Sequence, residues 1–215
     1  MRKPPIVFLM GPTAAGKTQM AIDLAERVDC ELISVDSAQV YRGLDIGTAK
    51  PRFPHHLINI RDPKENYSAV EFAEDAHNLC FEICNRGKTP VLVGGSMLYF
   101  RILLEGFSNI PPADPTIRRE LEIEGVKEGW PRLHARLSNL DPTLASKIHP
   151  NHSRRISRAL EVYYSTGKLL SEWHRESKTT TYIASNFEIF RFAIAPNDRS
   201  VLHERIERRF STMME

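Results

Sequence analysis

Gly11-Pro-Thr-Ala-Ala-Gly16-Lys17-Thr18 sets two glycines, a lysine and a hydroxyl at the spacing G-x-x-x-x-G-K-[ST]. Glycines at both ends let the backbone bend around Pro12, Thr13, Ala14 and Ala15 until successive amides point inward at an anion. Lys17 brings a positive charge to the outer phosphate oxygens, and the Thr18 hydroxyl can ligate a magnesium ion. Such a loop takes an anion with linked phosphates; it does not specify ATP. A carboxylate, Asp36, ends a second apolar run, Glu31 to Val35. Three roles are open to it: outer ligand of magnesium, general base, or surface ion pair. Ser37 and Gln39 follow closely, a hydroxyl and an amide able to orient a hydrogen-bonding substrate, with Gln39 able to read the polar edge of a base. The glycine-punctuated loop from Tyr41 to Pro51 carries Arg42, Thr48 and Lys50 and suits substrate contact, a solvated charged loop being the alternative. A later apolar run, Pro90 to Val93, ends in Gly94-Gly95-Ser96 with no acid, which argues against a motor or switch ATPase.

These residues need a scaffold that brings loops together. Short apolar runs at Ile6–Met10, Glu31–Val35 and Pro90–Val93 alternate with helical spacing at Lys17–Val28 and Ser68–Arg86, the pattern of βαβ units. In the first helix Met20, Leu24 and Val28 form the expected apolar stripe; in the second, Phe72, Ala76, Leu79 and Ile83. The expected fold is α/β: a P-loop NTPase-like parallel sheet flanked by helices. Prolines near Asn109-Ile110-Pro111-Pro112 and Asp114-Pro115 then break the rhythm. From there to about Arg175 every pattern is helical, Ser153–Thr166 most regularly. Alternation returns at Phe187–Ala195, followed by a helix from Asp198 to Met214. Residues 1–112 with about 183–215 are thus expected to form the α/β core, and 113–182 a helical insertion.

The 215 residues, 41% hydrophobic and 26% charged, exclude wholesale disorder and a multi-span membrane protein. A net charge of +2 is too balanced to announce a polyanionic or membrane partner by itself. Three cysteines, Cys30, Cys80 and Cys84, with no secretory leader point to a reducing compartment, the cytoplasm, and no run reaches the length of a membrane span. Cys80 and Cys84 share a helix face and read as core. His55, His56, His149 and His152 lack a ligand set at metal spacing and read as structural or RNA-facing. Tyr163, Tyr164 and Trp173 read as packing residues of the insertion.

Four segments together, GPTAAGKT at 11–18, ISVDSAQVYRGLDIGTAKP at 33–51, LVGGSMLYFRILLEG at 92–106 and HPNHSRRISRALEVYYSTGK at 149–168, resemble the bacterial tRNA dimethylallyltransferases, also called tRNA isopentenyltransferases. The resemblance spans essentially the whole chain, although the family continues well beyond its end. It implies transfer of a dimethylallyl group from dimethylallyl diphosphate to the exocyclic amine of the adenine 3′-adjacent to a tRNA anticodon. It implies Asp36 as general base, Lys17, Ser96 and Arg209 at the reacting centre, and magnesium on Thr18. Ser96 stands where most members have threonine. Arg205 and Arg209, one helical turn apart, are expected to act on one diphosphate. Asp36, Ser37, Ala38, Gln39, Thr48, Lys50, Ser96, Arg118, Arg154, Arg155, Ile156, Ser157 and Arg158 are the expected tRNA contacts of a monomer. Without the family, eleven Lys or Arg against seven Asp or Glu between Arg118 and Arg175 would equally describe a solvated surface. Two further readings stay open: a kinase using ATP with Asp36 as base toward a hydroxyl, and a non-catalytic RNA-binding module whose loop senses nucleotide.

Overall fold

A computed structural model describes residues 2–108, 110–112, 114–176 and 183–214. Four six-residue strands form where the apolar runs predict them: β1 (Pro5–Met10), β2 (Cys30–Val35), β4 (Thr89–Gly94) and β5 (Glu188–Ala193). A two-residue β3 (His55–His56), too short to leave a periodic signal, adds an edge. The order is β3-β2-β4-β1-β5, and every pair is parallel. The register levels the strand ends: Gly94 pairs with both Val35 and Met10, and Met10 pairs with Ala193. The segments that follow these strands therefore leave the sheet at one height. In an open parallel sheet that carboxyl edge, where the chain crosses over, is where ligands bind.

Helix α1 (Lys17–Ala25) follows the phosphate loop, α2 (Ala69–Asn85) precedes β4, α3 (Met97–Glu105) follows it, and α9 (Arg199–Met214) follows β5. α2 starts in a capping box between Ser68 and Glu71 and buries Phe72, Ala73, Ala76, Cys80 and Ile83. Its cysteine Cys80 is fully buried, as a core residue should be. In α1 only Leu24 of the expected stripe packs against the core. Met20 and Val28 are 49% and 46% exposed, and Val28 lies past the helix end. The buried residue is Ala21, which packs with Leu9, Leu32, Val91 and Val93. A helix this close to a sheet needs a small side chain at the contact, and apolar periodicity cannot see that requirement.

The chain divides into two compact units, Met1–Gly106 with Thr180–Glu215, and Phe107–Thr179. The second begins a few residues before the position read from the prolines; positions 109, 113 and 182 of that reading lie outside the described residues. It comprises α4 (Pro115–Glu128), α5 (Trp130–Leu140), α6 (Pro142–Ala145), α7 (Ser153–Thr166) and α8 (Leu170–Arg175) around its own core of Leu121, Leu133, Leu137, Ile156, Leu160 and Val162. Its Asp-Pro pairs begin helices. Asp114 accepts from the Thr116 and Ile117 amides ahead of α4, and buried Asp141 accepts from Leu144 N in α6 and Ser171 N in α8.

Candidate active site

A cleft at the carboxyl edge of the sheet is lined by Thr13, Lys17, Thr18, Ser34, Asp36, Gln39, Ala49, Pro51, His55, Val93, Gly94, Gly95 and Arg209. Residues from behind β1, β2, β4 and β5 meet there because the strand ends are level. Two glycines make the approach possible. A Cβ on Gly94 would lie 2.0 Å from the Val35 carbonyl oxygen, and one on Gly11 would lie 2.1 Å from that of Ile194. A side chain at Gly94, the last residue of β4, thus has no room.

The phosphate loop enters α1 through Gly16, at φ 93°, a left-handed conformation natural to glycine. No side chain caps that helix, so its first amides remain available to an anion. Lys17 Nζ donates to the Pro12 carbonyl at 2.6 Å, across the loop it closes. Burial and then the Arg209 charge hold its ammonium below the ordinary lysine value, while Asp36 pulls the other way. Arg209 reaches the cleft from α9, and its buried Nε has no hydrogen-bond partner among the described residues. Two cations share a confined space with one carboxylate, an arrangement that an incoming polyanion relieves.

Asp36 sits opposite the loop, half-buried and part of the cleft wall. Its Oδ1 accepts from the amides of Ala38, at 2.8 Å, and Gln39, at 3.2 Å. No hydrogen bond among the described residues ends on Oδ2. One oxygen anchors the turn; the other is left for chemistry.

Several expected contacts prove to be braces. Gln39 Oε1 accepts from Ser34 Oγ at 2.8 Å, and its Nε2 donates to the carbonyls of Thr48 and Ala49. Both amide protons are spent, so Gln39 holds the 41–51 loop and does not offer them to a base. Thr48 Oγ1 donates back to the carbonyls of Leu44 and Asp45. Lys50, its side chain only 10% exposed, donates to Tyr41 O, Asp45 Oδ1 and Asn59 Oδ1. An ammonium has three donors, and all three are engaged, leaving none for an RNA phosphate. Ser37 is exposed and Ala38 half-buried on the same turn. Ser96 precedes α3 without capping it and follows the two lining glycines without lining the cleft itself. Arg205 is exposed on α9 and outside the lining. His55, read from the sequence as structural or RNA-facing, lines the cleft from the two-residue β3, and Ser34 lines it from β2.

In the helical unit Arg154 and Arg155 are exposed, whereas Ile156 and Ser157 face the core. Those two side chains pack inward and are not available to touch RNA. Arg118 and Arg158 both bond to the buried Glu161, a residue the sequence reading missed. Its signal was present: an acid flanked by Leu160 and Val162 on a helix interior, three residues after an arginine.

The family model described as IPP transferase matches residues 39–215. A second, described as Isopentenyl transferase, matches residues 4–61. The chain belongs to the IPP transferase family. The tRNA dimethylallyltransferase of Nitrosomonas europaea is 52% identical over 221 residues, covering 100% of this chain and 69% of that relative. That of Nitrosococcus oceani is 52% identical over 99% of this chain and 68% of its own length. Among solved structures, the full-length tRNA isopentenylpyrophosphate transferase of Bacillus halodurans is 39% identical with a TM-score of 0.58, covering 99% of this chain and 66% of its own. A eukaryotic dimethylallyltransferase acting on tRNA gives a TM-score of 0.76 at 30% identity, covering 98% of this chain and 53% of its own. This IPP transferase chain therefore spans about two thirds of its bacterial relatives. The P-loop-type parallel sheet and the helical unit are both within that span.

Proposed function

We propose that this chain transfers a dimethylallyl group from dimethylallyl diphosphate to the exocyclic amine of an adenine beside a tRNA anticodon, releasing diphosphate. The meeting of Asp36, the phosphate loop with its Lys17, and Arg209 in one cleft is the observation that carries the reading. Backbone N–H groups between Thr13 and Thr18, with Lys17 and Arg209, hold a diphosphate whose charge grows as the carbon–oxygen bond breaks. The adenine nitrogen forms the new bond to the allylic carbon and gives up a proton to Asp36 Oδ2. That transfer matters because the amine's lone pair is delocalised into the ring, and the nitrogen becomes strongly acidic as it bonds.

Magnesium fits the donor set only as a companion of the diphosphate. The described residues contain no group of three or more His, Cys, Asp or Glu able to hold a metal. Thr18 lines the cleft beside the loop, and magnesium commonly binds through one or two protein ligands plus substrate phosphates. Bound there, it would neutralise charge on the departing group. Dimethylallyl diphosphate and tRNA are the proposed partners; no helix among the described residues is long and apolar enough to cross a membrane. Nothing in the site favours the kinase alternative, since β4 ends in glycines where an acid would hold the metal of ATP.

Incubation with radiolabelled dimethylallyl diphosphate, magnesium and tRNA tests the proposal. Label should appear in the RNA and diphosphate in solution. Label confined to water-soluble prenol, or ATP turnover in its place, would rule the transferase reading out.

A further inference from the structure

Glu161 is a carboxylate with no exposed surface in the helical unit, and every polar contact it makes converges on two arginines and the segment leading into α4. Its Oε2 accepts from Arg118 Nε at 3.1 Å and Nη2 at 2.9 Å. Its Oε1 accepts from Arg158 Nη1 and from the Asp114 amide, each at 2.9 Å. Arg158 Nη2 completes the lattice by donating to the Pro111 carbonyl at 2.8 Å. Each guanidinium thus spends two of its five N–H groups inward, leaving three for another acceptor. Their side chains remain 43% and 30% exposed. Arg154 and Arg155 stand exposed one turn earlier on α7, so a helix turn carries three arginines and Arg118 joins them from α4.

Stability alone does not explain this arrangement. A buried ion-pair cluster replaced by apolar residues of similar volume is often neutral or more stable, because desolvating the charges offsets their attraction. What the cluster supplies is direction. Two long, flexible side chains are held in one geometry with their remaining donors facing out, and the ordering cost of the guanidinium planes is met during folding.

We infer that Glu161 is a positioning residue that presets Arg118 and Arg158 as a rigid fork for the phosphodiester backbone of RNA. This rests on the proposed action on tRNA and identifies what shapes the grip. Oriented guanidinium groups recognise phosphate through paired N–H bonds, which a lysine's point charge cannot reproduce.

The test uses the 215-residue chain and a fluorescein-labelled anticodon stem-loop RNA, titrated across salt concentrations. Glu161→Gln should weaken binding by about tenfold and flatten the salt dependence by one to two phosphate contacts, about 0.7–0.9 in slope for each. Arg118→Lys and Arg158→Lys, which keep the charge and lose the fork, should each weaken binding several-fold. In turnover with tRNA, Glu161→Gln should raise the RNA KM and leave both kcat and the KM for dimethylallyl diphosphate unchanged. If Glu161→Gln is poorly folded by circular dichroism, the two lysine variants carry the test. Wild-type affinity and salt slope in the folded variants, whatever happens to Tm, would overturn the inference; so would a fall in kcat at unchanged KM. A wild-type chain that binds the stem-loop without transferring label would sink the transferase reading while the Glu161 result stands. Transfer of label with undiminished binding by Glu161→Gln would sink the positioning role alone. No RNA binding by the wild-type chain would overturn both.

Discussion

In the proposed reaction Asp36 takes the proton, and its two oxygens have different surroundings. Asn at this position can still accept the Ala38 and Gln39 amide bonds on its oxygen, so Asp36→Asn should keep the turn while removing the proton acceptor. Turnover should fall by about 100- to 10,000-fold with RNA binding retained, measured by single-turnover label transfer and by fluorescence titration. Wild-type turnover in this variant would remove the general base. Lys17 makes a pH-dependent prediction. Its ammonium lies below the ordinary value of 10.5 in the free protein because burial and Arg209 disfavour the charged form. A diphosphate needs the protonated form, so donor affinity should fall as pH rises through the lowered pKa. A KM profile on the alkaline side of neutrality should show this limb below the ordinary lysine range, and Lys17→Arg should remove it.

At the scale of elements, the 41–51 loop and the β2–β4 junction do the positioning. Lys50 joins Tyr41, Asp45 and Asn59, and Gln39 joins Thr48 and Ala49, so the loop behind Asp36 is held from both ends. Lys50→Met should cost about 1 kcal/mol, because the Tyr41 carbonyl is left without its donor while the exposed Asp45 and Asn59 oxygens return to water. Faster amide hydrogen exchange confined to the loop would locate that cost; unchanged exchange would show that Lys50 is dispensable. Gly94→Ala places a methyl group against the Val35 backbone, and destabilisation of about 2–3 kcal/mol in urea unfolding is expected. The sequence marked the 41–51 loop for substrate contact by residue type. It did not show that the polar groups of that loop are spent within the fold, since hydrogen-bond partners depend on where the chain returns.

At the scale of the molecule, the cleft at the carboxyl edge of the sheet is matched by an electrostatic clasp at the other end of the strands. Glu31, at the start of β2, bonds to Arg86 at 2.7 and 3.1 Å, to His56 at 2.8 Å and to Lys88 at 3.3 Å. The Arg86 hydrogen bonds, helped by His56 and Lys88, hold its carboxyl down to about 2. A carboxyl whose folded value lies below its unfolded one stabilises the protein above the unfolded value, and that contribution is lost as pH falls toward the folded value. Stability of the wild type should therefore decline from about pH 4.5 to about 2, with Glu31→Gln flatter across that window. Solvent reaches this cluster, so the variant should cost only about 1 kcal/mol near neutrality. Equal acid sensitivity of the two proteins would remove Glu31 as the cause. Both compact units carry their own buried core, which fits a chain whose helical insertion interrupts an α/β sheet.

By itself the sequence determined what depends on neighbours along the chain: the phosphate loop between strand and helix, four strands and their parallel class, the helical character of the insertion, and Asp36 as the carboxylate at a strand end. Those follow from period, spacing and backbone conformation, which are local. Tertiary structure decided which polar groups are free. Lys50 and Gln39 carry residue types suited to RNA contact, and the family resemblance implies Ile156 and Ser157 as contacts, yet their donors or surfaces are consumed inside the fold. Arg209 and His55 reach the cleft only because the register levels strands distant in the chain. Glu161 gains its meaning from Arg118, forty-three positions away, across a contact between α4 and α7 that no single helix pattern encodes.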